Sequence, residues 1–148
     1  MVPKYRCWDE PNKIMRFNDE IVIWNDQVYI NEKKELDSRI KGYSCLSEHL
    51  MQSTGLKDKS GVEIYEGDIL VYTSKSINYG DAYYHSYVEV FRNQSGAYRI
   101  RGEHIYETEL YSNRNSLTVV GDIYSSPELL KKERFMTSTA DPGLEVSE

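Results

Sequence analysis

Short β-branched and aromatic runs punctuated by Asn, Asp, Ser and Gly recur every ten residues or so along this chain, and stretches with the spacing of an amphipathic helix are scarce. Ile21-Val22-Ile23-Trp24 runs into Asn25-Asp26 and then Gln27-Val28-Tyr29-Ile30, so two polar residues join two strand-like runs as in a tight hairpin. Tyr87 to Phe91 and Ala97 to Ile100 flank Asn93-Gln94-Ser95-Gly96, a second hairpin in which Gly96 supplies the positive φ of a short loop. A further strand spans Ser116 to Ile123, apolar on both faces and hence expected in a sheet interior. Two helices are expected. Ser126-Pro127-Glu128 opens one over about 126–136, with a cap, a proline at the first position and basic residues at its end. The other is a short stripe, Leu46, Leu50 and Met51, within Ser44–Gln52. After Met136 no period remains, and 137–148 reads as a disordered tail.

The pattern gives a mainly β fold: a small N-terminal β-hairpin unit of about 1–45 and a barrel of about 55–124, with no Gly/Ser or Pro linker to separate them. A length of 148 residues suffices for a single core without metal or disulfide staples. Net charge is −6, and the halves share it: 10 Lys/Arg against 13 Asp/Glu in 1–74, and 8 against 11 in 75–148. A general attraction to phosphate backbones is therefore not expected. No apolar run reaches the ~20 residues of a membrane span, and the opening MVPKYRCWDEP lacks a signal-peptide core, so a cytoplasmic location is expected. Cys7 and Cys45 form no framework or metal-ligand pair and are expected to be ordinary neutral thiols.

Candidate chemistry is sparse. His49, His85 and His104 have no ligand spacing, so no metal or other cofactor is expected. Glu66, Asp68 and Asp122 are the one carboxylate set that suits a magnesium hydrolase, but all lie in turns, where such side chains serve the backbone. No GxSxG or phosphate loop occurs, and an enzyme is not expected. Thirteen of the eighteen aromatic residues are tyrosine, more than one small core needs. Tyrosine favours interfaces, which points to a protein partner or self-association through Tyr79, Tyr83, Tyr84 and Tyr87, with Arg99 and Arg101 on a neighbouring strand face. The alternative is a nucleic-acid surface built from the same Tyr/Arg strands, weakened by interleaved Glu89, Glu103, Glu107 and Glu109.

The run Thr54-Gly55-Leu56-Lys57-Asp58-Lys59-Ser60-Gly61-Val62-Glu63-Ile64-Tyr65-Glu66-Gly67-Asp68-Ile69 holds two turns feeding a strand. With the opening Tyr5-Arg6-Cys7-Trp8-Asp9 and the closing Gly121-Asp122-Ile123-Tyr124 and Pro127-Glu128-Leu129, it resembles the YopX family of bacteriophage and prophage proteins over roughly residues 4 to 130. Members typically begin Arg-Ala-Trp-Asp and end Gly-Asn-Ile-Tyr-Glu-Asn-Pro-Glu-Leu; here Cys7 replaces Ala, Asp122 replaces Asn, and Ser125-Ser126 replaces Glu-Asn. The resemblance implies an SH3-like barrel within a single domain over 1–136 and a phage or prophage origin, and it transfers no catalytic residue. Thr54, Gly55, Asp58, Gly61, Tyr65, Glu66, Gly67, Asp68, Gly121, Tyr124 and Pro127 carry the signature and are expected to be structural.

Overall fold

The structure, a computed structural model, describes residues 2–32 and 41–142 and forms two compact units that divide between Ser53 and Thr54. In the first unit β1 (Tyr5–Asp9) lies between β2 (Ile14–Phe17) and the start of β6 (Leu50–Lys57), all antiparallel, with Cys7 opposite both Arg16 and Leu50. β3 (Ile21–Trp24), β4 (Gln27–Glu32) and β5 (Lys41–Cys45) make a three-stranded sheet in that order. The β3–β4 hairpin is the one its sequence predicts: Trp24 faces Gln27, and Asn25 and Asp26 both take positive φ, at 50° and 62°. That is the turn whose twist matches paired strands, and Asn and Asp tolerate it best after glycine. Cys7, Val28 and Ile30 form the buried core here, with Ile21, Tyr43, Cys45 and Leu50 packed against them.

Two expectations for this region are corrected. Ser44–Gln52 is not a helix: β5 ends at Cys45, a single 3-10 turn spans Ser47–His49, and β6 follows. The apolar stripe was too short to hold a helix against strand pairing, which buries Met51 opposite Arg6. Nor are Cys7 and Cys45 separate thiols, because they form a disulfide across 38 residues of sequence. Their distance in the chain hid what the strands bring together.

The second unit contains β7 (Glu63–Tyr65), β8 (Asp68–Lys75), β9 (Tyr83–Arg92), β10 (Tyr98–Gly102), β11 (Ile105–Glu109), β12 (Leu117–Asp122) and β13 (Phe135–Thr137). The main antiparallel sheet has the order β11-β10-β9-β8-β12, and β13 adds to β9. The expected hairpin joins β9 to β10, with Asn93 Oδ1 accepting from the N–H groups of Ser95 and Ala97. On one face Ile64, Leu70, Val88, Val90, Ile100, Leu110 and Leu117 form the core, while Ile69, Val71 and Tyr87 form a smaller cluster with Leu129, Leu130 and Phe135. β8 and β9 are thus apolar on both faces, as their near-continuous hydrophobic runs require.

β12 was expected inside a sheet but sits at the end of the strand order, paired with β8. Its apolar outer side is nevertheless bonded, because Lys59 N–H donates to Leu117 O and Val119 N–H donates to Asp58 Oδ2. The expected helix over 126–136 is a 3-10 turn, Pro127–Lys131, followed by β13. Ser126 makes no side-chain capping bond, and pairing of Phe135 with His85 draws the chain into a strand. The expected tail therefore begins inside β13 at Thr137, and its last part, 143–148, lies outside the described residues. None of the helices among the described residues is long and apolar enough to cross a membrane.

Candidate functional site

In the first unit a cleft of about 480 Å³ opens between the end of β1, the β3–β4 turn and the end of β5. Trp8, Val28, Cys45 and Leu46 give it an apolar lining, and Glu10, Asp26 and His49 add polar groups. Leu46 is 57% exposed there, and Trp24, which faces the lining residue Gln27 across the hairpin, is 73% exposed.

Asp9 and Tyr43 join the lining to a buried polar network. The Asp9 carboxylate accepts from Arg16 Nε at 3.0 Å, from Asn12 Nδ2 at 3.0 Å and from the Tyr43 hydroxyl. Arg16 reaches further to Glu20 Oε2 at 2.9 Å and to the Tyr43 oxygen at 3.1 Å. Burial alone pushes the Asp9 pKa up, but the bonds from Tyr43, Asn12 and Arg16 together hold it below its ordinary value. Burial and the neighbouring Asp9 carboxylate push the Tyr43 phenol up, so it stays a donor. At the rim, Glu10 bonds to Lys13 and to Trp8 Nε1, and these bonds lower its pKa. The network fixes the cleft wall and gives the Asp9 carboxylate three side-chain donors.

The signature acids of the second unit are structural in geometry. Asp58 Oδ1 accepts from Ser60 and Val62 N–H at 2.8 and 2.9 Å, while its Oδ2 accepts from Val119 N–H at 2.9 Å. Gly61, at φ 87°, lets this turn close. Asp68 Oδ2 accepts from Tyr65 N–H at 2.7 Å, and Asp122 Oδ1 accepts from Tyr124 and Ser125 N–H. Gly67, at φ 86°, donates to Val90 O and accepts from Ile123 N–H. Glu66 pairs with Arg92 at 3.5 Å. Thr54 Oγ1 donates to Ile64 O, Gly55 has positive φ, Gly121 packs on Ser126 and Leu129, and Pro127 starts the 3-10 turn. Among the described residues no group of three or more His, Cys, Asp or Glu side chains is arranged to hold a metal.

The tyrosine surface is dispersed. Tyr79 is 60% exposed in the β8–β9 connection, Tyr83 and Tyr84 are half-buried opposite Thr137 and Met136 of β13, and Tyr87 is a core residue 6% exposed beside Phe135. Arg99 pairs with Glu107 at 2.7 Å; Arg101 pairs with Glu89 at 2.8 Å and lies over the Phe91 ring. The cleft of the first unit was not foreseen. Its one signal in the sequence was Trp8-Asp9, a dipeptide read only as part of a family signature.

Comparison with curated proteins finds no match. Among solved structures, the chain is similar to the crystal structure of protein EF1440 from Enterococcus faecalis, with 30% identity and a TM-score of 0.57 over 88% of this chain and 99% of that one. The family model described as YopX protein matches residues 4–131. With the signature turns in place in the middle and at the end of that span, the chain belongs to the YopX family.

Proposed function

We propose that this chain is a non-enzymatic accessory binding or assembly factor of phage or prophage origin, acting through protein contacts in a bacterial host. The first-unit cleft carries this reading. It offers an apolar recess on a wall made rigid by the Asp9–Arg16–Tyr43 network, with exposed Leu46 and Trp24 beside it. Aromatic and aliphatic anchors around a concave site are what a partner's apolar side chain fits. The second unit, which we read as an SH3-like barrel, serves as scaffold. Against catalysis stand Asp58, Asp68 and Asp122, each of which serves backbone N–H groups. Against nucleic acid stand the acidic and aromatic partners of Arg99 and Arg101.

Leu46→Glu tests the reading, since an exposed position tolerates charge without loss of fold. Affinity capture from bacterial lysate is expected to recover a specific protein with the native chain, and binding of that purified protein is expected to weaken about tenfold or more with Leu46→Glu. Unchanged binding would place the interface elsewhere. Salt-sensitive retardation of DNA or RNA, without a protein partner, would favour the nucleic-acid alternative.

A further inference from the structure

The outer edge of β9 is shared by two strands. Its second half, Glu89–Arg92, pairs with β10, whereas its first half, Tyr83–His85, pairs with the three residues of β13. β13 hangs from the exposed residues Lys131–Arg134, and of its three residues only Phe135 reaches the cluster of Ile69, Val71 and Tyr87. Phe135 stacks on the His85 ring at 4.9 Å, Arg134 lies over the Tyr84 ring, and Lys59 Nζ donates to Ala140 O just beyond the strand. A three-residue pairing does not hold a strand without such side-chain contacts.

His85 is fully buried, and both ring nitrogens bond to threonine hydroxyls: Nδ1 with Thr73 Oγ1 on β8 at 2.8 Å, and Nε2 with Thr137 Oγ1 on β13 at 2.7 Å. The bonds assign the tautomer. Thr137 Oγ1 donates to Thr139 O, so it accepts from Nε2–H, and Nδ1 is the unprotonated nitrogen that accepts from Thr73. A proton added at Nδ1 turns the Thr73 bond around and places an imidazolium where its two bonded partners are hydroxyls rather than a carboxylate. Burial and the charge of Lys59 oppose that proton, and Asp141 favours it. Of the other charged side chains on the packed elements, Lys75 on β8, Glu128 and Lys131 in the 3-10 turn, and Lys132, Glu133 and Arg134 before β13 are exposed, while Asp68 is buried at the opposite end of β8 and bonded to Tyr65 N–H.

We propose that β13 is a strap latched by neutral His85, and that protonation of this ring in mild acid frees the strap from β9 while the sheet beneath remains folded. Release uncovers Tyr83 and Tyr84 together with the strand edge that carries them. The sign follows from linkage: the ring is held below the ordinary imidazole value of 6.5, so its contribution is intact above 6.5 and is lost as pH falls through the lower folded value.

Amide hydrogen exchange of the full chain between pH 8 and pH 5, corrected for intrinsic rates, tests the proposal. Phe135–Thr137 is expected to lose protection below about pH 6.5, by up to about tenfold per pH unit, while the core amides of β8 and β9 keep theirs. In His85→Leu this selective pH dependence is expected to vanish. Thr137→Val, which deletes the acceptor of Nε2–H, is expected to expose the strap already at pH 8, and it serves if His85→Leu does not fold. Constant protection of Phe135–Thr137 across this range would overturn the proposal, as would loss of protection together with β8 and the Tyr87–Arg92 part of β9, which does not pair with β13.

Discussion

Replacing Asp9 by alanine is expected to destabilise the first unit by about 2–3 kcal/mol, because three donors of a buried network lose a charged acceptor at once while Arg16 keeps its ion pair with Glu20. The Arg16 side chain, 11% exposed, loses its Nε acceptor, and Tyr43 and Asn12 lose theirs in the same step. Asp9→Asn keeps the shape and one acceptor oxygen but not the charge, and should fall between wild type and alanine. Trp8 and Trp24 are the only tryptophans in the chain, so urea unfolding followed by tryptophan fluorescence reports on this unit. The same curves carry a pH signature. With its folded pKa depressed below 3.8, Asp9 contributes stability above 3.8 that is lost as pH falls through the folded value, and Asp9→Asn should flatten that dependence. A cost below about 1 kcal/mol for Asp9→Ala would match an ordinary surface pair instead.

The comparable position in the second unit is Asp58. Asp58→Ala is expected to cost about 3 kcal/mol, since three backbone N–H groups lose a charged acceptor at once. Two of these bonds close the turn before β7, and the third secures the outer side of β12, 61 residues along the chain. Asn offers a single carbonyl oxygen and can serve either the turn or β12, so Asp58→Asn should recover part of the loss. Thermal unfolding monitored by circular dichroism, with exchange at the Val119 amide, measures both effects. If Asp58→Ala melts like wild type and Val119 remains protected, the carboxylate is not the tie between turn and strand.

These two aspartates mark where the sequence was legible and where it was not. Local chemistry was readable: Asn25-Asp26 and Asn93–Gly96 announced their hairpins, and Asp58 to Gly61 announced a turn, because each depends on neighbours within a few residues. What Asp58 does for Val119, what Asp9 does with Tyr43, and the meeting of Cys7 with Cys45 all depend on strand order, which no local pattern encodes. The helix expected after Ser126 failed for a related reason. Its proline and charges favour a helical start, but pairing of Phe135 with His85 wins over propensity after one 3-10 turn. Of the tyrosines expected at an interface, Tyr87 lies in the core, because β9 is buried on both faces there.

In the proposed function, the cleft of the first unit is the place where a partner protein docks. Hydrogen exchange of the full chain, alone and saturated with the captured partner, tests this most directly. The account predicts added protection in Trp8–Pro11, Asp26–Val28 and Tyr43–Ser47, the segments that line the cleft, and the same protection should be lost with Leu46→Glu. A complex that leaves these segments unchanged while protecting β9, β10 and β11 would contradict it.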